Sequence, residues 1–168
     1  MNTGLKSNFG GFLLPEASVT MNFVGKLGPE DIEQNKTLLA TFKDQAMKHI
    51  DDDPKIDAPK REPLKQIFSQ FVDVLTKTIE SGKMDGGAAL VIEPKNISFI
   101  AGGYVADGAT LETAFKKLVD VAKDDPEFPK AKLDVATHGG VKFHTLSVPI
   151  PAGEEEARDF FGDNMDLV

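Results

Sequence analysis

GGAALVIEPKNISFIAGGYV, residues 86–105, is the stretch that decides the fold. Two apolar runs, 88–92 and 97–105, flank the segment EPKN, in which Pro94 fixes φ at the second position of a turn. This pattern predicts a β-hairpin. Because residues 88–92 are apolar at every position, we expect that strand to be covered on both faces or to lie at the centre of a sheet.

The sequence before the hairpin predicts one strand and two helices. Residues 18–26 alternate loosely, with Val19, Met21 and Phe23 on one face, which is typical of a strand. Pro29 and the acidic residues after it predict the start of a first helix that continues to about residue 50. Residues 54–61 are interpreted as a proline-bearing link. A second helix is expected from residue 63 to Gly82.

The sequence after the hairpin predicts a third helix, a second hairpin and a last helix. Residues 107–110 lead into this helix, and apolar positions at helical spacing run from Leu111 to Ala122. Residues 133–137 and 141–150 flank the turn HGG and predict two strands. Val141 and Phe143 share one face of the second strand, whereas residues 146, 148 and 150 share the other, so we expect a bulge near His144–Thr145. Residues 154–161 predict a short helix.

The predicted order β-α-α-β-β-α-β-β-α indicates an α+β fold. We expect a mainly antiparallel sheet of about five strands with helices packed on it. The first part is compatible with a ferredoxin-like split βαβ core, to which the fifth strand adds an edge. Residues 1–168 are interpreted as a single domain, with an extended N-terminal segment at 1–17 and an acidic C-terminal segment at 151–168. Gly108 and Gly153 each precede an acidic helix start, but so few shared features leave open whether the two hairpin–helix units are a duplication.

The charge distribution excludes several partner classes. The chain carries 19 basic and 27 acidic residues, and residues 151–168 hold six acids against one base. No basic cluster is present, so nucleic acid and anionic membrane surfaces are not expected partners. A protein partner or self-association is expected instead. The sequence does not fix a compartment, and its apolar end MDLV predicts that it is part of a longer protein.

Motifs of catalysis are missing from the sequence. There is no cysteine, no GxSxG, no Walker A and no GxGxxG. These absences favour a protein other than an enzyme but leave an enzyme domain open as an alternative, and no cofactor is expected. One candidate metal site consists of His138, His144 and Asp134 around the second hairpin, because imidazole and carboxylate are zinc ligands. The alternative is that these are solvated hairpin residues.

Three segments carry a resemblance. GGAALVIEPKNISFIAGGYV, the helix GATLETAFKKLVD and the strand GGVKFHTLSVP resemble sheet-and-helix domains of large uncharacterised bacterial proteins of the cell envelope. The resemblance implies a module of a longer chain, in the cell envelope or secreted. It implies no catalytic residue.

Three functions are compatible with the sequence. The first is a non-catalytic binding or structural module of a larger bacterial protein. The second is a metal-dependent or small-ligand-binding enzyme domain with a site near the Gly-Gly hairpins, His138 and His144. The third is an oligomerisation domain that uses an edge strand or an exposed apolar sheet face. The placement of His144 and the exposure of the sheet distinguish them.

Overall fold

A computed structural model describes residues 4–93, 96–125, 128–138, 141–149 and 164–167 of the 168-residue chain. Its element order confirms the α+β class. The helix expected at residues 154–161 lies outside the described residues. The strands and helices, with one short 3-10 turn at Gly10–Phe12, have these bounds: β1 Val19–Lys26, α1 Pro29–Asp52, α2 Ala58–Glu80, β2 Lys83–Glu93, β3 Asn96–Gly103, α3 Gly108–Ala122, β4 Lys130–His138, β5 Val141–Pro149 and β6 Asn164–Leu167.

The strands form two three-stranded sheets, where the sequence predicted one sheet of about five strands. One sheet has the order β1-β2-β3 and the other β4-β5-β6. The central position of β2 confirms the expectation from its apolar run. The chain divides into two compact units, Met1–Glu93 with Ile97–Ala114, and Pro94–Asn96 with Phe115–Val168.

The helical hairpin between β1 and β2 explains why the split βαβ order does not form. A single crossover helix returns the chain to the starting end of a strand and gives a parallel pair. Here two helices of 24 and 23 residues reverse the chain twice. β2 therefore starts where β1 ends, with Lys26 opposite Lys83, and the two strands pair antiparallel.

Helices α1 and α2 run antiparallel and are joined by surface ion pairs. Solvent-exposed ion pairs contribute little to stability, so packing between the helices carries more of it. The ring centroids of Phe42 and Phe68 lie 5.5 Å apart across the hairpin. The ion pairs between the helices are Lys36–Glu80 at 3.0 Å, Lys43–Asp73 at 3.0 Å and Lys65–Asp51 at 2.9 Å.

Helix α2 begins five residues earlier than expected, at Ala58 instead of Pro63. Pro59 lies in the first turn, where its missing N–H has no intrahelical acceptor to lose. Arg61 holds the link before the helix, since its guanidinium donates to the carbonyl oxygens of Asp53 and Ile56, each at 3.2 Å. Pro59, and not Pro63, is therefore the proline that sets the start of α2.

The buried side chains of the first unit are small and come mainly from α2. Val74 is 1% exposed, and Ala89 of β2 is equally buried. Ala114, in the middle of α3, is fully buried. α2 thus supplies the centre of this core, which also contains Ile67 and Val72.

The N-terminal segment, expected to be extended, makes a short turn and attaches to the first sheet. A Cβ atom added to Gly87 would lie 3.0 Å from Phe12, and one added to Gly102 would lie 2.9 Å from the same ring. Phe12 therefore covers this face of the sheet because both strands present bare backbone to it. The Asp85 carboxylate accepts hydrogen bonds from the Ser7 hydroxyl at 2.5 Å and the Asn8 amide N–H at 2.9 Å.

No described helix is long and apolar enough to cross a membrane.

Candidate functional site

The structure brings together two of the three predicted metal ligands, Asp134 and His144. Pairing of β4 with β5 shifts register between Lys132 and Ala136, so that three residues of β4 stand opposite His144. The sequence places this irregularity at the correct level of the hairpin, but the surplus residues belong to β4 and not to β5. Asp134 adopts φ 53°, a left-handed conformation that few residues other than glycine adopt.

Backbone and side chains at this bulge bind one another. The Asp134 N–H donates to His144 Nδ1 at 2.9 Å. Lys116 of α3 donates from Nζ to Asp134 Oδ2 at 2.7 Å. The imidazole also contacts the Phe115 ring, with centroids 5.9 Å apart. The hydrogen bond from Lys116 lowers the pKa of the Asp134 carboxyl, and the positive charges of Lys116 and Lys142 lower it further.

This geometry favours a structural role for the cluster over a metal site. A neutral imidazole has one lone pair on nitrogen, and here the Nδ1 lone pair accepts the Asp134 N–H. Nε2 then carries the proton and cannot ligate a metal. The Asp134 carboxylate, which a cation would need as a ligand, is already paired with the positive charge of Lys116. A zinc ion would have to displace both interactions. The metal site stays a prediction.

Only the backbone of His138, the third predicted ligand, belongs to the described part of the chain. Its backbone pairs with Val141, as a two-residue hairpin requires. Its side chain lies outside the described residues. The sequence did not identify Lys116 and Phe115 as part of the cluster, because residues on a helix and a hairpin reveal no mutual distance before folding.

A shallow depression of about 390 Å³ lies between the end of α3 and the start of β4. Its volume falls within the range of ligand pockets. However, the charges of its lining balance, with Lys123 and Lys130 against Asp124 and Asp125. Lys123 is already paired with Asp120 at 2.9 Å. We find no converging polar groups there that indicate a ligand.

The first sheet has one face with no polar side chain on β1 or β2. Residues opposite each other on antiparallel strands share a face, and the register places Met21 opposite Ala88 and Phe23 opposite Gly86. We call this side of the sheet the apolar face. On β1 and β2 it consists of Val19, Met21, Phe23, Gly25, Met84, Gly86, Ala88, Leu90 and Ile92. Phe12 lies against Gly87 and Gly102 on the opposite face of the sheet. Because side chains alternate along a strand, Phe99, three residues before Gly102 in β3, lies on the apolar face.

The large side chains of the apolar face are exposed. Taking roughly 200 Å² for a fully exposed large side chain, six of them together expose about 600 Å². That area is at the upper end of the size range for the largest apolar patch on a typical monomer. Their exposed fractions are 59% for Val19, 55% for Met21, 44% for Phe23, 39% for Met84, 54% for Ile92 and 70% for Phe99.

Strand β1 is also an edge of its sheet, because β2 is its one neighbour among the described strands. The Leu27 N–H donates to the Gly82 carbonyl at 2.9 Å and continues the β1–β2 ladder. Counting back in steps of two, residues 25, 23, 21 and 19 direct their backbone groups to β2. The N–H and C=O groups of Thr20, Asn22 and Val24 therefore point away from the sheet.

Comparison with known proteins adds no relative: no family model, curated protein or solved structure matches the chain. The resemblance to domains of large bacterial proteins stays a prediction. Among the described residues, the exposed apolar face and the edge of β1 are the features that indicate a function.

Proposed function

We propose that the chain is a non-catalytic structural module that associates with a second copy of itself through the sheet β1-β2-β3. The observation that carries the proposal is the apolar face, which exposes six large hydrophobic side chains on three adjacent strands. The largest apolar patch on a monomer is often functional, and this face is at the upper end of the size range of such patches. The bonded cluster at Asp134 and His144 offers no comparable support for catalysis.

The size of the face supports association. A standard interface buries about 800 Å² on each partner. The side chains of the apolar face supply about 600 Å² of this area on the estimate given above. Among the described residues, the outward backbone groups of β1 pair with no other strand, and they add hydrogen-bonding groups at the edge of the same surface. Together they supply most of the contact area that a specific complex needs.

The charge pattern of the apolar face is compatible with a second copy as the partner. The chain carries a formal net charge of −8, so two copies repel each other at long range. The apolar face itself holds no charged side chain on β1 or β2. Two copies related by a two-fold axis would therefore bring these surfaces together without placing like charges in contact.

Sedimentation velocity over a concentration series tests the proposal. We expect the mass to rise from 18.2 kDa toward twice that value as concentration increases. Met21→Lys should abolish the rise, because it places a charge in the contact. Leu38→Lys is the matched control, since Leu38 is 66% exposed but lies on α1. A mass of one chain at every concentration, or an equal effect of both substitutions, would overturn the proposal.

A further inference from the structure

The apolar face is self-complementary in shape, so that two copies cover it for each other. We infer that two copies stack their sheets face to face, about a two-fold axis that crosses the strands at Ala88 of β2. This inference rests on the proposed self-association and names its geometry. Stacked sheets lie about 10 Å apart with their strand directions within about 30° of each other, and the side chains between them form one core.

Three rows of side chains cross the apolar face, each with one residue from β1, β2 and β3. The register of β1 with β2 fixes the first two residues of each row. The Tyr104 N–H donates to the carbonyl oxygen of Asp85 at 2.8 Å, and the partners of an antiparallel pair run in opposite directions from there, which fixes the third residue. The first, middle and third rows are Val19 with Leu90 and Phe99, Met21 with Ala88 and Ala101, and Phe23 with Gly86 and Gly103.

On β2 and β3, side-chain size falls from the first row to the third. Phe99 is 70% exposed and projects from the sheet, whereas Gly86 and Gly103 have no side chain. The tip of the Phe23 ring fills the space over Gly86, since a Cβ atom added there would lie 2.6 Å from Phe23 Cζ. The apolar face is therefore high at Phe99 and low at Gly103, four residues further along β3.

An axis through the middle row brings the first row of each copy over the third row of the other. Three pairs of unlike size then face each other across the contact: Leu90 with Gly86, Phe99 with Gly103, and Val19 with Phe23. Phe99 of each copy lies over the low end of the other, where it has room because glycine carries no side chain. Large side chains opposite small ones fill space at the density of a protein interior. The apolar face therefore fits a second copy of itself.

Other two-fold axes between the stacked sheets give a poorer fit. An axis that runs along β2 keeps each row at its own level, so that Leu90 meets Leu90 and Gly86 meets Gly86. An axis that crosses the strands at Leu90 instead of Ala88 places Phe99 against Phe99. Both arrangements set large side chains against one another and hold the glycines of the third row away from the partner. Atoms beside such a gap lose their contacts, so side-chain size selects the axis at Ala88.

Contacts between copies test the axis directly in the native chain. In an equal mixture of ¹³C-labelled and unlabelled protein, an isotope-filtered NOE spectrum detects proximity between two copies alone. We expect signals from the ring protons of Phe99 to the α-protons of Gly103. Within one chain these residues are about 13 Å apart along β3, too far for a signal. Signals from the Phe99 ring to the methyl groups of Val19 would instead indicate the axis along β2 and overturn the inference.

Exchange of a large and a small residue supplies the second test. Phe99→Ala and Gly103→Phe should each weaken dimerisation about tenfold or more in sedimentation, because the first removes buried area and the second sets two rings against each other. The double variant should restore dimerisation, since the axis exchanges the two positions. Ile100→Ala is the matched control, because Ile100 is 46% exposed but lies on the opposite face of β3.

The outcomes separate the geometry from the proposed function. Circular dichroism on every variant confirms that it is folded. If the native chain dimerises but shows no signal between Phe99 and Gly103, and the double variant shows no rescue, the axis at Ala88 is wrong while self-association stands. If the native chain is monomeric at every concentration, the proposed function fails together with the stacked geometry.

Discussion

Gly86→Ala tests whether the apolar face is packed as described. A Cβ atom at this position would lie 2.6 Å from Phe23 Cζ and 3.0 Å from the carbonyl oxygen of Gly102. The ring tip can swing away, since Phe23 is 44% exposed, but the carbonyl belongs to the neighbouring strand and cannot move alone. The substitution must therefore displace Phe23 and strain the β2–β3 pair.

The expected loss is about 1–2 kcal/mol in the free energy of unfolding. Overpacking in a well-packed site costs about 1–3 kcal/mol. Replacing glycine by alanine returns about 0.4–1 kcal/mol, because the unfolded chain has fewer conformations to lose. For a chain of this size the difference corresponds to a fall in Tm of roughly 3–6 °C. Urea unfolding followed by circular dichroism measures it.

Gly103→Ala, at the last residue of β3, provides the matched control. Its added Cβ would lie 3.5 Å from the Asp85 carbonyl oxygen, an ordinary van der Waals contact. We expect its stability to match that of the native chain or to exceed it by about 0.5 kcal/mol. If Gly86→Ala is as stable as the native chain, or if both substitutions cost the same, the close packing of Phe23 on Gly86 is refuted.

Three further predictions concern single residues. Gly82 has φ 65°, so Gly82→Ala should cost about 1–2 kcal/mol in urea unfolding, and an unchanged midpoint would contradict the turn described between α2 and β2. The hydrogen bond from the Asn8 N–H lowers the pKa of the Asp85 carboxyl. This bond therefore persists above the pKa of about 3.9 that Asp has in an unfolded chain, and it is lost as the pH falls through the lowered pKa. The NMR shift of the Asn8 amide should titrate with a midpoint below 3.9, and a midpoint at or above that value would count against the bond. Zn²⁺ should leave the Tm unchanged because it must break the Lys116–Asp134 ion pair; a rise that His144→Ala abolishes would reinstate the metal site.

The sequence predicts elements well where local chemistry decides them. Pro29 begins α1 at the expected residue, and the Asp107 side chain accepts the Thr110 N–H at 3.0 Å before α3. The apolar run 88–92 correctly indicated a central strand. Each of these features depends on residues within a few positions of one another, so a pattern in the sequence contains the relevant information.

The sequence fails where distant residues compete. It could not show that the extra residues of the second hairpin lie in β4, because either strand can absorb a mismatch of register. It predicted that Val19, Met21 and Phe23 share a face, but not that this face is exposed. Exposure depends on which elements cover a sheet, and hydrophobic periodicity reports only which side chains point the same way. The contact of Lys116 with Asp134 was missed for the same reason.

The helical hairpin between β1 and β2 also affects how the chain folds. Lys26 and Lys83 are neighbours in the sheet although 57 positions separate them in the sequence. Closing so long a loop is entropically costly for an unfolded chain. Once α1 and α2 have paired through their local contacts, the two strand ends already lie at the same end of the hairpin. We therefore expect the helices to form before the sheet, with the β1–β2 ladder completed in a late step.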